Sequence, residues 1–430
     1  MTAADRVPER AHALDIDLRR AETQNCPYAA YDKLREEAPV WHDPNTGYFV
    51  ISRYEILKEV LLDTERFSNI PDPEQMFVTQ ERTELLRNLY EKKGWYPAPN
   101  LAKRDDPNHR QMRKLFEQAY RASRIKQMEP FVREVSERLV DGFIDRGRCD
   151  WVREFAIPLP LIVIIHQVGA REEDMWRIKA WTDAYVQRLS LMHGEETDVW
   201  ATEMEIEMQH YFQPIFERLR EEPDDTLLSH LVNTEIPEWG RTLNDNELHA
   251  EMMTDTFVGG AETTTNALSG GILLLIQSPG AWRRLKADPD RYLRTFVEEV
   301  LRLESPVQFL FRFAARDLDL CGVHIPKGSR IMAGYGAANR DERQFPEAAR
   351  LDLERANAAS HLAFGSGTHH CLGASLARRE LHCGFQAFID RIDDFRLAPE
   401  QGEFSYAPHM FLRALKELHI EFEAKPRRQA

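Results

Sequence analysis

Phe364-Gly365-Ser366-Gly367-Thr368-His369-His370-Cys371-Leu372-Gly373 is the stretch that decides the fold. One cysteine follows two spaced glycines and precedes a helix-forming run, Ala374 to Glu380. Glycine reaches backbone angles closed to other residues and lets the chain pass close to a flat ligand. Cys371 then falls at a helix start, where free N–H groups and the helix dipole favour an ionised sulfur. A thiolate so placed suits a haem iron, because its electron donation favours O–O cleavage. Two plainer readings stand beside it. A single cysteine next to a turn is usually a small buried hydrophobe. His369, His370 and Cys371 could also be offered to zinc, although ligands so tightly adjacent do not easily arrange as a tetrahedron.

The run resembles the haem-binding signature of the cytochrome P450 family, F-G-x-G-x-H-x-C-x-G, at every defined position. The resemblance implies a mainly α fold with a small β region and a long central helix over a haem. It implies haem b (iron protoporphyrin IX) as cofactor, Cys371 as the axial ligand of its iron, and a monooxygenase that takes up dioxygen and hydroxylates a hydrophobic small molecule.

Composition bounds the rest. A chain of 430 residues with 43% hydrophobic content buries a large core. A formal net charge of −15 argues against nucleic acid or an anionic membrane as partner. Cys26, Cys149, Cys321, Cys371 and Cys383 are an odd, scattered set, the pattern of a reducing compartment. Met1 to Arg20 is rich in charge and alanine and carries no continuous apolar core, so residues 1–20 are expected to be a flexible N-terminal segment ahead of a single domain over 21–425. The apolar runs Ile157 to Ile165 and Gly270 to Ile276 are too short to span a bilayer. A cytoplasmic protein with no membrane anchor, like the soluble bacterial type of the family, is the expectation.

From Asp105 to Ile276 apolar residues recur at spacings of three and four among Glu, Arg and Lys, which predicts helix. Strands are few: Tyr48 to Ile51 after the turn Asn45-Thr46-Gly47, Val323 to Ile325, and Ser329 to Ala333. One helix stands out. It starts at a cap near Asn244 or Asp245, with Glu247 close by, and runs to the stop Ser278-Pro279-Gly280. The pair Gly259-Gly260 near its middle predicts a kink or the close approach of a ligand.

Glu262 and Thr263 follow that pair. An alcohol next to a carboxylate can relay protons, although a mid-helix threonine ordinarily bonds back to its own turn. The segment Gly259 to Thr263 matches the family's A/G-G-x-D/E-T pattern, which makes Thr263 the implied proton-delivery residue and Glu262 its acidic partner. Glu299 and Arg302 lie three apart on one helix face. They match the family's E-x-x-R, whose third member is implied to be Arg355, and their implied role is structural support of the cysteine loop. His109 and Arg113 share a face of a helix that starts after Asp105-Asp106-Pro107. With Arg312 and His369 they take the positions the family gives to partners of the haem propionates. His361 is expected to fix the start of the loop.

Arg110, Arg113, Lys114, Arg378 and Arg379 are expected to form a basic patch on the cysteine side of the haem, fit to steer an acidic electron donor. With no length left for a fused flavin reductase, a ferredoxin and a ferredoxin reductase are the expected donors. The substrate pocket is expected to draw on residues from Phe77 to Tyr96 and on Asp255, Val258, Gly259, Val307, Phe309, Met410 and Phe411. Asp255, two turns before Thr263, is read as binding a hydroxyl or amine of the substrate, against the plainer reading of a capping or solvated aspartate. A terpenoid or steroid is the leading substrate class and an aromatic or fatty acid the next. A peroxide-dependent relative, or a haem-binding recruitment protein without turnover, would not need the acid and alcohol pair that this chain retains.

Overall fold

The structure, a computed structural model, describes residues 14–71, 80–190 and 192–425. Its spine is a helix that runs without a break from residue 245 to residue 277, about 50 Å at 1.5 Å per residue. The start is set locally. Asn244 Oδ1 accepts from the Glu247 N–H at 3.0 Å, and the Glu247 carboxylate accepts in return from the Asn244 N–H at 3.0 Å. This reciprocal cap satisfies two of the donors that a helix N-terminus leaves free. The stop is Ser278, followed by a new helix opened by Pro279. Around the glycine pair the helix widens to π-helical geometry over Met252–Glu262, a form concentrated at functional sites. Thr264 to Leu275 are all buried. A helix apolar on every side has to be wrapped, and the surrounding helices do so: Trp151 Nε1–H donates to the Leu268 carbonyl at 3.1 Å and the Thr265 hydroxyl to the Ala156 carbonyl at 3.0 Å.

The β structure is small and lies to one side. A five-stranded sheet has the order Val40–His42, Phe49–Ile51, Arg330–Gly334, Phe309–Ala314, Phe67–Ser68. The turn ahead of Phe49 is tied by Asp43, which accepts from the Asn45 N–H at 2.9 Å and the Thr46 hydroxyl at 2.7 Å, and Gly47 takes a positive φ of 73°. Leu318–Leu320 and Val323–Ile325 form a separate hairpin whose two-residue turn, Cys321-Gly322, has both φ values positive, as the right-handed strand twist prefers. Arg148–Asp150, His419–Ala424 and Ile392–Leu397 make a third sheet. Arg148–Asp150 is separated from the other two strands by more than half of the chain, so no local pattern announces its pairing.

Residues 1–13 of the expected flexible segment lie outside the described residues, but residues 14–20 do not behave as a free tail. Leu14, Ile16 and Leu18 are buried in a cluster with Trp41, Phe309, Met410 and Phe411. Alternation of apolar with charged side chains lets this short stretch bury one edge while the charges stay in water. Among the described residues no helix is long and apolar enough to cross a membrane, and all five cysteines are free.

Candidate active site

The Cys371 loop is a turn built on two glycines. Gly365 and Gly367 both hold φ at 69°, the left-handed region that a side chain disfavours. A Cβ on Gly367 would also sit 3.0 Å from the Leu61 carbonyl oxygen. The loop closes on itself: the Cys371 N–H donates to the Phe364 carbonyl at 2.9 Å and the His370 N–H to the Gly367 carbonyl at 3.0 Å. The helix Ala374–Arg391 then begins. Cys371 lies deep in the molecule, yet its surface is open to an internal cavity of about 320 Å³. Burial pushes its thiol up, while the N–H groups of Gly373 and Ala374 and the guanidinium groups of Arg113 and Arg378 pull it down.

Two elements far apart in sequence meet at this cavity. The loop contributes Phe364, Gly365, His369, Cys371 and Leu372, and the central helix contributes Asp255, Gly259, Gly260, Thr263 and Thr264. The Thr263 hydroxyl donates to the Gly259 carbonyl at 3.0 Å. His109, Arg113, Arg312 and His369 also line the cavity. The rings of His109 and His369 pack against each other at a 42° tilt, with centroids 4.1 Å apart. Burial and the neighbouring cations hold His369 down at about 3 and depress His109 as well, so both rings are neutral at pH 7. Arg113 Nη1–H donates to the Thr368 carbonyl at 3.2 Å, and Arg312 Nη1–H to the Phe311 carbonyl at 2.9 Å. Leu101, Phe116, Ile164, Ala267, Leu301 and Val307 are apolar walls.

The expected acid and alcohol pair is split. Glu262, read as the acidic partner of Thr263, is absent from the cavity wall and turns to the neighbouring helix Met175–Leu189. There its Oε1 lies 3.1 Å from Lys179 Nζ and accepts from the Thr182 hydroxyl at 3.4 Å. Adjacent residues on a helix diverge by about 100°, so one of the two faces the cavity and the other a neighbour. Two carboxyls do line the cavity, Asp255 and Glu380, the second of which sequence reasoning missed. Glu380 receives a hydrogen bond from the Thr264 side chain, has one oxygen with no partner among the described residues, and is pushed up to about 8 by burial. A glutamate seven residues into a charged helical run carries no local mark of burial.

Two ion clusters tie the helix Pro289–Glu304 to the segments packed against it. Arg302, wholly buried, donates from Nε to Glu299 Oε1 at 2.6 Å and from Nη2 to Glu299 Oε2 at 3.0 Å. Arg355 Nε lies 3.0 Å from the same Glu299 Oε1, and Arg302 Nη1–H reaches the carbonyls of Asn339 and Ala348 at 3.0 and 2.6 Å. The second cluster was not anticipated as such. Glu298 ignores Arg302 and binds Arg378, from Nε at 2.7 Å and Nη2 at 3.0 Å, and His361 at 3.1 Å. The Ala363 N–H donates to His361 Nδ1 at 3.2 Å, which leaves the proton on Nε2 to face Glu298. His361 and Arg378 stand on either side of Cys371 in the chain, so one carboxylate clamps both ends of the loop.

Of the expected pocket residues, Asp255, Gly259 and Val307 line the cavity. Val258, Phe309, Met410 and Phe411 do not: all four are buried in apolar clusters. Phe309 packs edge-on against Tyr31 and Phe411 against Phe311. Apolar side chains serve core and pocket equally well, and only tertiary placement tells them apart. Phe77 lies outside the described residues. The expected basic patch is largely neutralised in place. Arg110 pairs with Asp106, Arg113 with Glu117, Lys114 with Glu238, Arg378 with Glu298 and Arg379 with Glu129.

Fold and site together define a helical protein that presents a buried thiol and a helix hydroxyl to one apolar cavity. Residues 188–422 match the Cytochrome P450 family. The chain is 34% identical over 390 residues to cytochrome P450 130 of Mycobacterium tuberculosis, covering 89% of this chain and 92% of that one. It is 32% identical over 399 residues to the steroid C26-monooxygenase of the same organism, covering 93% and 94%. Among solved structures, P450BioI in complex with hexadec-9Z-enoic acid ligated acyl carrier protein superposes with a TM-score of 0.83 at 29% identity, covering 94% of this chain and all of that one. The chain belongs to the cytochrome P450 family, and is an oxidoreductase of the monooxygenase type.

The family's cofactor is haem, and the donor set suits it. A flat, apolar macrocycle carrying two carboxylates and a metal needs a soft axial donor, apolar walls and cationic or N–H partners at one edge. Cys371, the apolar side chains named above, and the group His109, Arg113, Arg312 and His369 supply these in one cavity. His109 Nδ1 has no hydrogen-bond partner among the described residues, although Asp106 lies 3.6 Å away.

Proposed function

We propose that the chain hydroxylates a hydrophobic small molecule, with Cys371 as the axial ligand of haem b and Thr263 as the group that handles the proton on the substrate side. The observation that carries the reading is that the Cys371 loop and the Thr263 turn, more than a hundred residues apart, line the same cavity. When bound, haem supplies the reduction of dioxygen and the insertion of one of its oxygen atoms into a C–H bond. The protein supplies the surroundings. The Gly373 and Ala374 N–H groups and Arg113 favour a negative sulfur. Arg113, Arg312, His109 and His369 hold the propionates. Thr263 holds its hydroxyl at the wall of the cavity, oriented by the Gly259 carbonyl. Glu299, Arg302 and Arg355 keep the loop's support rigid.

A steroid or terpenoid is the favoured substrate class, supported by the apolar walls and by the name of the steroid C26-monooxygenase among the similar proteins. A fatty acid is the second reading, favoured by the acyl chain bound in the P450BioI structure. Electrons are drawn from a ferredoxin and its reductase in the cytoplasm. The test is the absorption spectrum of the reduced protein under carbon monoxide. The red-shifted band typical of thiolate ligation is expected, and its loss in Cys371→His with haem retained. A wild-type spectrum without that band overturns the reading. Spin-state titration with a panel of steroids, terpenoids and fatty acids then separates the substrate classes.

A further inference from the structure

One polar feature of the cavity has no part in handling haem or oxygen. Asp255 and Glu251 lie one turn apart on the central helix, Asp255 on the cavity wall and Glu251 fully buried behind it. They dock the segment 100–102: Asp255 Oδ2 accepts from Asn100 Nδ2 at 3.0 Å and from the Ala102 N–H at 3.4 Å, while Glu251 Oε1 accepts from the Leu101 N–H at 2.6 Å. Burial raises both carboxyls; Asp255 raises Glu251 further by its charge and hydrogen bond, while the hydrogen bonds from Glu251, the Ala102 N–H and Asn100 pull Asp255 back down. The two carboxyls share a hydrogen bond in which Glu251 is the better holder of the proton and Asp255 the better acceptor.

Among the described residues Asp255 forms no ion pair, although the fields of Lys103 and Arg104 reach the two carboxyls. Arg104 of the same segment is engaged by Glu247 at 3.3 Å, and Lys103 lowers Asp255 only by its field. A second, independent observation points to a missing donor. Asn100, 2% exposed, directs its amide N–H at Asp255 but has an Oδ1 with no partner among the described residues. The atom left over beside Asp255 is an acceptor, and leaving a buried acceptor unmet is costly. Loop docking alone explains the atoms already bonded. It does not explain a carboxyl set on the cavity wall beside Leu101, Ile164 and Val307.

We infer that Asp255 is a specificity residue that receives the protonated amine of a hydrophobic substrate. The inference rests on the reading of the cavity as the substrate site and narrows its substrate class to molecules with a basic nitrogen set apart from the carbon to be oxidised.

The test uses the haem-loaded protein and two adamantane probes of nearly equal shape, N,N-dimethyl-1-adamantylamine and 1-isopropyladamantane. They differ by a protonated nitrogen in place of a carbon. The tertiary nitrogen is too hindered to reach the iron. Binding is read by calorimetry near pH 7, with the absorption spectrum recorded alongside. The amine is expected to bind at least tenfold more tightly than the hydrocarbon, and Asp255→Asn and Asp255→Ala to bring the two within threefold of each other. Equal affinities in the wild type, an amine preference that survives in both variants, or a spectrum showing nitrogen on the iron would each overturn the assignment. The wild-type comparison stands even if neither variant folds. If the carbon monoxide spectrum of the same preparation is normal, such a failure falls on Asp255 alone; if that spectrum fails, the haem-thiolate reading fails with it.

Discussion

Glu298→Gln removes the charge that clamps both ends of the Cys371 loop, and the structure sets the size of the effect. The carboxylate is held from its ordinary 4.5 down to about 2 against the cost of burial, by hydrogen bonds from His361 and Arg378 and by the Arg378 charge. A displacement of that size corresponds to about 3 kcal/mol at neutral pH. A tenth of the Glu298 side chain and a third of Arg378 remain in water, so screening reduces the expected loss to about 2 kcal/mol. The sign follows from the direction. A depressed carboxyl stabilises the fold above its unfolded value, so the difference between wild type and variant should be constant from pH 8 to about 5. It should shrink only as pH falls from about 4.5 towards 2. The assay is denaturant unfolding of the haem-loaded protein at matched cofactor content, run as a double-mutant cycle with Arg378→Met. A coupling below about 0.5 kcal/mol, or a difference that grows as pH falls from 7 to 5, would refute the clamp. So would a thiolate band that persists unchanged through long incubation of Glu298→Gln, since a loosened loop should release its ligand sooner.

Glu380 behaves in the opposite sense. Its carboxyl is raised from 4.5 to about 8, so wild-type stability should decline as pH rises between those values, by about 4–5 kcal/mol. Glu380→Gln should flatten that slope, and unfolding curves at pH 5, 7 and 8 check it. Gly271 sits where the central helix meets the helix Ala374–Arg391, and a Cβ there would come within 2.3 Å of the Phe385 ring tip. Gly271→Ala should cost about 1–3 kcal/mol by overpacking, measured by thermal unfolding. Thr263→Val removes the hydroxyl from the cavity at nearly constant volume. Under the proposed function it should lower product formed per dioxygen consumed by about tenfold, with substrate affinity by calorimetry unchanged; a normal ratio would exclude Thr263 from proton handling.

Local signals in the chain are read well where physics is local. The Asn244 and Glu247 cap, the Ser278-Pro279 stop and the turns at Gly47 and Gly322 each rest on side-chain and backbone chemistry within a few residues, and each appears where expected. The three expected strands, near residues 48–51, 323–325 and 329–333, are present, but others leave no local mark. Phe309–Ala314 pairs with Arg330–Gly334, and Arg148–Asp150 with His419–Ala424. Pairing across such distances depends on which edge is free, and that is settled by the whole fold. The N-terminal stretch shows the same limit, since Leu14, Ile16 and Leu18 bury themselves only because the cluster around Trp41 offers a surface.

The site divides along the same line. The sequence by itself determined that a cysteine stands at a helix start behind two glycines, and that a long capped helix carries a glycine pair followed by an acid and an alcohol. Spacing and backbone permission are properties of the chain alone. Only the tertiary structure decided which way each side chain looks. It set Thr263 on the cavity and Glu262 against Lys179, brought the unmarked Glu380 to the wall, moved Phe309, Met410 and Phe411 into the core, and gave Glu298 to Arg378 in place of Arg302. Apolar burial and charge pairing are satisfied by whichever neighbours the fold supplies, so their partners become defined when the helices close around Cys371.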